Sequence, residues 1–213
     1  MINIYMYPCL VLFSLFFIYS GVVSAIKFAG IKIKIFSMLI FFLLILRYLS
    51  LAILMTCKSI MFLYILKPFF YLNYLSIPML SMVTIYIIMR NEKFQLKNIF
   101  VASLILAFGY FIILANIPNY IELSNYYGYK MYLQRPEFIY LFKVLINTLF
   151  LIFAINLLDK NHLDKRGIYL IISAALMSII EIVLTMVGIK IFQENILSDF
   201  IWILAFIYAL NKK

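Results

Sequence analysis

The sequence predicts an all-α protein, a polytopic integral membrane helix bundle of about seven transmembrane helices forming one domain over residues 1–213. Three observations predict it. Of the 213 residues, 67% are apolar and 12% charged, a balance outside the range of soluble globular domains. The apolar residues fall into runs of about 17 to 25 residues, the length that crosses a bilayer. Basic residues gather in short clusters between these runs, where they report orientation. A soluble fold with so little polar surface would leave its core uncovered, whereas a bilayer accepts apolar side chains on every outward face.

Cutting the runs at charges, Pro and Asn gives spans near Cys9–Ile26, Ile33–Met55, Pro68–Met89, Ile99–Ala115, Phe138–Leu158, Gly167–Ile189 and Ile196–Leu210. The first follows MINIYMYPCL, which has no Lys or Arg ahead of the apolar run and no small-residue cleavage pattern after it, so it is expected to be retained. The second carries Arg47 in its interior. Before the third, Ser59 to Leu66 is also apolar, and either continues a long tilted helix or lies as an interfacial turn ahead of Lys67-Pro68. The fourth leaves through ANIPNY, and the fifth and sixth flank the charged segment DKNHLDKRG. The seventh is the shortest, at the low end of the crossing window. Small residues at helical spacing, Gly21 with Ala25, Ser20 with Ser24 and Ala174 with Ser178, are read as places of close helix packing.

Of the eighteen Lys and Arg, eleven fall in one set of alternate connections and five in the other, with Arg47 and Lys143 inside spans. The positive-inside rule then puts the N-terminus outside and the C-terminus in the cytoplasm, as expected of a multi-pass protein of the bacterial cytoplasmic membrane. The longest connection, Asn116 to Glu137, is on the outer side and carries Tyr120, Tyr126, Tyr127, Tyr129 and Tyr132. It is either an interfacial tyrosine belt or a lid over a ligand.

Orientation gives each polar residue inside a span a depth, at about 1.5 Å per residue. Arg47 and Glu181 each lie roughly 12 Å below the outer boundary, Lys143 roughly 8 Å and Asp199 about 5 Å. Asn73 lies at a similar level, and Asn147 is one helical turn from Lys143. Buried charges cost several kcal/mol unless paired or hydrated. Arg47, Asn73, Lys143, Asn147, Glu181 and Asp199 are therefore expected to line one polar, ligand-binding pocket open to the outside. Structural readings stand beside this one. Arg47 and Glu181 would form an ion pair locking two helices, Lys143 and Asp199 would snorkel to the boundary, and the two asparagines would hydrogen-bond between helices.

Familiar catalytic chemistry is missing from the sequence. His162 is the single histidine, in the loop DKNHLDKRG, and is read as a solvated loop residue. Cys9 and Cys57 sit in neither a CxxC nor a Cys/His cluster, so no metal, redox site or cofactor is expected. There is no HExxH, GxSxG or phosphate-binding loop, and a non-enzymatic protein is expected. Nucleic-acid binding is set aside, because no basic stripe with interleaved aromatics lies outside the spans.

The stretch LKPFFYLNYLSIPMLSMVTIYIIMRN, Leu66 to Asn91, resembles the third span of the seven-helix N-terminal sensor region of bacterial histidine kinases. Phe69, Phe70, Tyr74, Leu75, Pro78 and Tyr86 carry the likeness, with ANIPNY similar to that family's turn after the fourth span, and it extends over residues 60 to 158. The resemblance implies a bundle that senses a ligand or the state of the membrane and passes a signal through its last helix. No dimerisation helix, phosphoacceptor histidine or ATP-binding domain follows Lys213, so the chain is expected to be a detached sensor module or a fragment. Its partners would be the lipid bilayer and a cytoplasmic signalling or other membrane protein. The function expected is a sensory or ligand-binding module, with a small transporter or an accessory subunit of a membrane complex as the alternative.

Overall fold

The computed structural model describes residues 2–57, 60–89, 96–124, 128–134, 136–160, 163–189 and 195–212. The elements in order are α1 (Ile2–Phe28), α2 (Ile31–Thr56), α3 (Ile60–Ile65), α4 (Lys67–Phe70), α5 (Asn73–Met89), α6 (Leu96–Asn116), strands β1 (Asn119–Ser124) and β2 (Gly128–Leu133), α7 (Glu137–Leu158), α8 (Lys165–Met186) and α9 (Ile196–Asn211). Among the described residues six helical segments are long and apolar enough to cross a membrane, the third of them being α4 and α5 together, Lys67–Met89. The seventh apolar helix, α9, has 16 residues and measures about 24 Å, less than the roughly 30 Å of a hydrocarbon core. Exposed apolar side chains crowd the outward faces: Phe13 and Phe16 on α1, Phe108 and Phe111 on α6, Phe138 and Leu145 on α7. Such faces suit hydrocarbon rather than water.

The centre of the bundle belongs to α5 and α9. α9 packs against α1, α5 and α8, and α5 against α2, α6, α7, α8 and α9. Trp202, Ile203, Ala205 and Phe206 of α9 and Leu80 of α5 are fully buried. A helix wrapped this completely by protein does not itself need the full bilayer length, which is why the short α9 fits. Gly21 permits the close approach of α1, since a Cβ there would overlap the Phe41 ring of α2 and lie 3.2 Å from Ile207 Cγ1 of α9. Ala25, Ala174 and Ser178 are buried too, in keeping with the packing role expected of them.

Three departures from the expected elements matter for the site. First, the span predicted as one run from Pro68 to Met89 is interrupted at Tyr71-Leu72, where Leu72 N–H donates to Phe69 O and Tyr74 N–H to Tyr71 O in tightened turns. Pro78 lies beyond this break, inside α5. Second, the segment Ser59 to Leu66 neither continues α2 nor stays a plain turn, because it contains the short α3. Third, the Asn116–Glu137 connection is not all coil: β1 and β2 pair antiparallel, with Tyr120 opposite Tyr132 and Glu122 opposite Lys130. α8 also ends at Met186 rather than Ile189.

The hairpin is fastened to the bundle. Met131 and Leu133 are buried on one face, and Gly128 lies against the end of α2. Its φ is +76°, and a Cβ would stand 2.9 Å from Leu54 O and 3.0 Å from Met55 O. Only glycine meets both demands at no steric cost. Nearby, the Lys67 ammonium donates to Leu114 O and Ile117 O at 2.7 and 2.8 Å, satisfying carbonyls at the end of α6. The Tyr110 hydroxyl donates to Pro68 O.

At the opposite end, Asp164 caps α8 by accepting from Gly167 N–H at 3.3 Å and also pairs with Lys212, just past α9. Burial alone would raise the Asp164 carboxyl, but hydrogen bonds from Lys212 and Tyr208, the Lys212 charge and the Gly167 N–H together hold it below the usual carboxylate value. The Asp164 carboxylate in turn holds Lys212 above the usual lysine value.

Candidate functional site

α9 begins inside the bundle, and that start organises the site. The first N–H groups of any helix lack intrahelical acceptors and must find others where water is excluded. Asn195, at the N-cap, has a left-handed φ of 56° and makes no side-chain cap bond. Glu181 of α8 takes that role, accepting Ser198 N–H at 2.9 Å and Leu197 N–H at 3.4 Å. The Ser198 hydroxyl donates to Asn195 O at 2.9 Å. Asp199, in the first turn of α9, is paired with the fully buried Arg47 of α2. Both carboxylates thus sit at the positive end of the α9 dipole, where negative charge is favoured.

Beside this start lies a small cavity of about 30 Å³ with a mostly apolar surface, into which Asn73, Tyr74, Lys143, Asn147, Ser198 and Asp199 bring polar groups. That volume admits one or two water molecules, not an organic ligand. Asn73, the first residue of α5, is 1% exposed, and neither its amide nitrogen nor its amide oxygen has a hydrogen-bond partner among the described residues. A buried amide in that condition calls for water in the cavity it lines. Asn147 Nδ2 donates to Lys143 O at 2.9 Å, along its own helix. The Lys143 ammonium stands 4.1 Å from the centre of the Tyr74 ring. Trp202 Nε1 donates to Ser178 Oγ at 3.2 Å, and its ring meets Phe150 edge-on at 5.9 Å, so the indole packs on two residues of the cavity wall.

A second, larger cavity of about 360 Å³ lies under the hairpin. Tyr71, Tyr74, Tyr120, Tyr132 and Tyr140 line it, together with Glu137 and the apolar Leu133, Pro136 and Met186. The break at Tyr71-Leu72 sets two of these rings, with Tyr71 stacked on Tyr74 at 5.7 Å. The hairpin register sets two more, Tyr120 and Tyr132, whose centroids are 5.5 Å apart. Tyr74 belongs to both cavities, a wall residue of the wide one and of the narrow one.

Four of the six expected pocket residues, Asn73, Lys143, Asn147 and Asp199, line the narrow cavity, and Arg47 and Glu181 flank it through Asp199 and the start of α9. The carboxylate paired with Arg47 is Asp199, which corrects the expected Arg47–Glu181 pair. Asp199 is 3% exposed and does not snorkel. Which of two carboxylates faces Arg47 depends on helix rotation, which residue depth leaves undetermined. The vestibule residues Tyr71, Tyr140 and Glu137 were not anticipated; their signal was tyrosine density on both sides of the long connection. Tyr120 and Tyr132 of the expected belt or lid do line the vestibule, while Tyr126, Tyr127 and His162 lie outside the described residues. Among the described residues no group of His, Cys, Asp and Glu is arranged to hold a metal ion. Comparison of the chain with protein-family models, curated proteins and solved structures finds no match to any of them.

Proposed function

We propose that this chain is a non-enzymatic polytopic protein of the bacterial cytoplasmic membrane that works as a sensory or ligand-binding module. In this reading α9 is a seventh span, the N-terminus is outside, and the C-terminus is cytoplasmic, following the eleven-to-five distribution of basic residues. The hairpin vestibule then faces outward and receives the ligand, and the charged cavity below it registers occupancy. One observation carries the proposal: Tyr74 is shared by the two cavities, with the Lys143 ammonium 4.1 Å from its ring and the α9 start across the narrow cavity. A ligand that moves Tyr74 disturbs Lys143, and through the cavity the Asp199–Arg47 and Glu181 contacts that fix α9. The resemblance to kinase sensor regions, in which the last helix carries the signal, accords with this route, and a cytoplasmic or membrane partner would receive it.

The break in the third span favours one other reading, a small transporter, because interrupted helices are how transporters build binding sites. Side-specific labelling separates the two. In a variant whose exposed Cys9 and Cys57 are replaced, Thr185→Cys, in the wall of the wide cavity, is treated in sealed vesicles of each orientation with a membrane-impermeant thiol reagent. A sensor reacts from the hairpin side alone. Reaction from both sides, with substrate flux in proteoliposomes, would overturn the sensor reading.

A further inference from the structure

The vestibule has a chemistry that narrows what it holds. Five of its eleven described lining residues are tyrosines, and Glu137, at the exposed mouth, is the single ionised side chain among them. Among the described residues no Lys or Arg appears in that lining, although the chain carries a net charge of +10; Arg135, between the lining residues Gln134 and Pro136, lies outside the described residues. The face of an aromatic ring is electron-rich and attracts cations, most strongly when the cation is weakly hydrated. This bundle already uses that attraction once, where the Lys143 ammonium sits over Tyr74. The volume of about 360 Å³ lies within the range of small-molecule sites, roughly 300 to 1,000 Å³.

From these features, and resting on the reading of the chain as a binding module, we propose that the tyrosine vestibule binds an organic cation, an alkylammonium head with an apolar body. The Lys143 ammonium, held against the Tyr74 ring, repels positive charge, so the cationic head lies away from it, against Tyr120, Tyr132 and Glu137. The apolar body reaches inward toward the buried Tyr71 and the half-buried Tyr140. The hydroxyls are secondary here, and the rings and the carboxylate provide the selectivity. Two sources present this chemistry at a membrane surface: a free ammonium compound and the choline headgroup of a lipid.

The test uses the whole protein in maltoside micelles, titrated calorimetrically with choline and with its neutral isostere 3,3-dimethylbutan-1-ol. Choline should bind saturably and about tenfold more tightly than the isostere. Glu137→Gln should weaken choline several-fold, as should Tyr120→Leu with Tyr132→Leu, while Tyr132→Phe, which keeps the ring, should bind like the parent. Glu137 is exposed, so unchanged melting of Glu137→Gln will show that its loss is not unfolding. Equal binding of choline and the isostere, indifference to Glu137→Gln, or binding of inorganic phosphate in place of choline would overturn the cation assignment. Repeating the titration in nanodiscs distinguishes the sources. Loss of choline binding in phosphatidylcholine relative to phosphatidylglycerol supports the lipid headgroup, and equal binding in both supports a free cation. If a neutral or anionic compound binds the vestibule in choline's place, the cation inference fails while the binding-module reading stands. Flux with two-sided labelling at position 185 fails that reading instead.

Discussion

Arg47 is fully buried with Asp199 as its ion-pair partner, and the cost of burying two charges is recovered only while both are present. Arg47→Ala should therefore destabilise the protein by about 3–5 kcal/mol, with most of the loss reversed when Asp199→Leu accompanies Arg47→Met, as read by thermal melting of the solubilised protein. Equal, additive losses from the two sites would show that they act independently. A milder result is expected of Glu181→Gln, about 1–3 kcal/mol, because a neutral amide oxygen still accepts from one backbone N–H of α9. At the opposite end, Asp164 and Lys212 form a latch with a definite pH window. The Asp164 value is lowered by folding, so its contribution is present above the ordinary carboxylate value and is lost as pH falls through the folded one. The Lys212 value is raised, so its contribution is present below the ordinary lysine value and is lost as pH rises through the folded one. The melting difference between the parent and Asp164→Asn should accordingly be greatest near neutrality and shrink in both acid and strong alkali.

Among elements, the hairpin and the break in the third span position the vestibule. Gly128→Ala must place a Cβ against Leu54 O at a positive φ, at a local cost of about 1–2 kcal/mol. Hydrogen exchange should then speed up over Asn119–Leu133 while the α8 and α9 amides keep their protection. The hairpin was hard to read from sequence because a two-stranded ribbon is marginal by itself, and this one is held by docking on α2, a tertiary contact. The break at Tyr71-Leu72 is equally silent, since no Gly or Pro stands at those two positions. The helices themselves were legible to within a few residues, because apolar length and bounding charges decide them. Depth counting brought Asn73, Lys143, Asn147 and Asp199 to one cavity, yet it could not foresee that the open volume would lie above them, among rings contributed by two connections.

For the molecule as a whole, the described residues include six helical segments of crossing length, and three of them, α1, α5 and α8, pack around a short α9 whose first N–H groups are satisfied by Glu181 of a neighbouring helix. This arrangement makes the start of α9 the point where the proposed binding site meets the helix proposed to carry the signal. The bundle also supplies its own reporter. Trp202, the single tryptophan, is fully buried on α9 and packs on Ser178 and Phe150 of the narrow cavity wall. The most direct test of the account is to follow Trp202 emission while the vestibule is titrated with choline, in the parent and in Tyr74→Leu. The account predicts a saturable emission change that tracks calorimetric occupancy in the parent and is lost in Tyr74→Leu at matched occupancy. Full occupancy with unchanged Trp202 emission in the parent would contradict it, leaving a vestibule that binds without reaching α9.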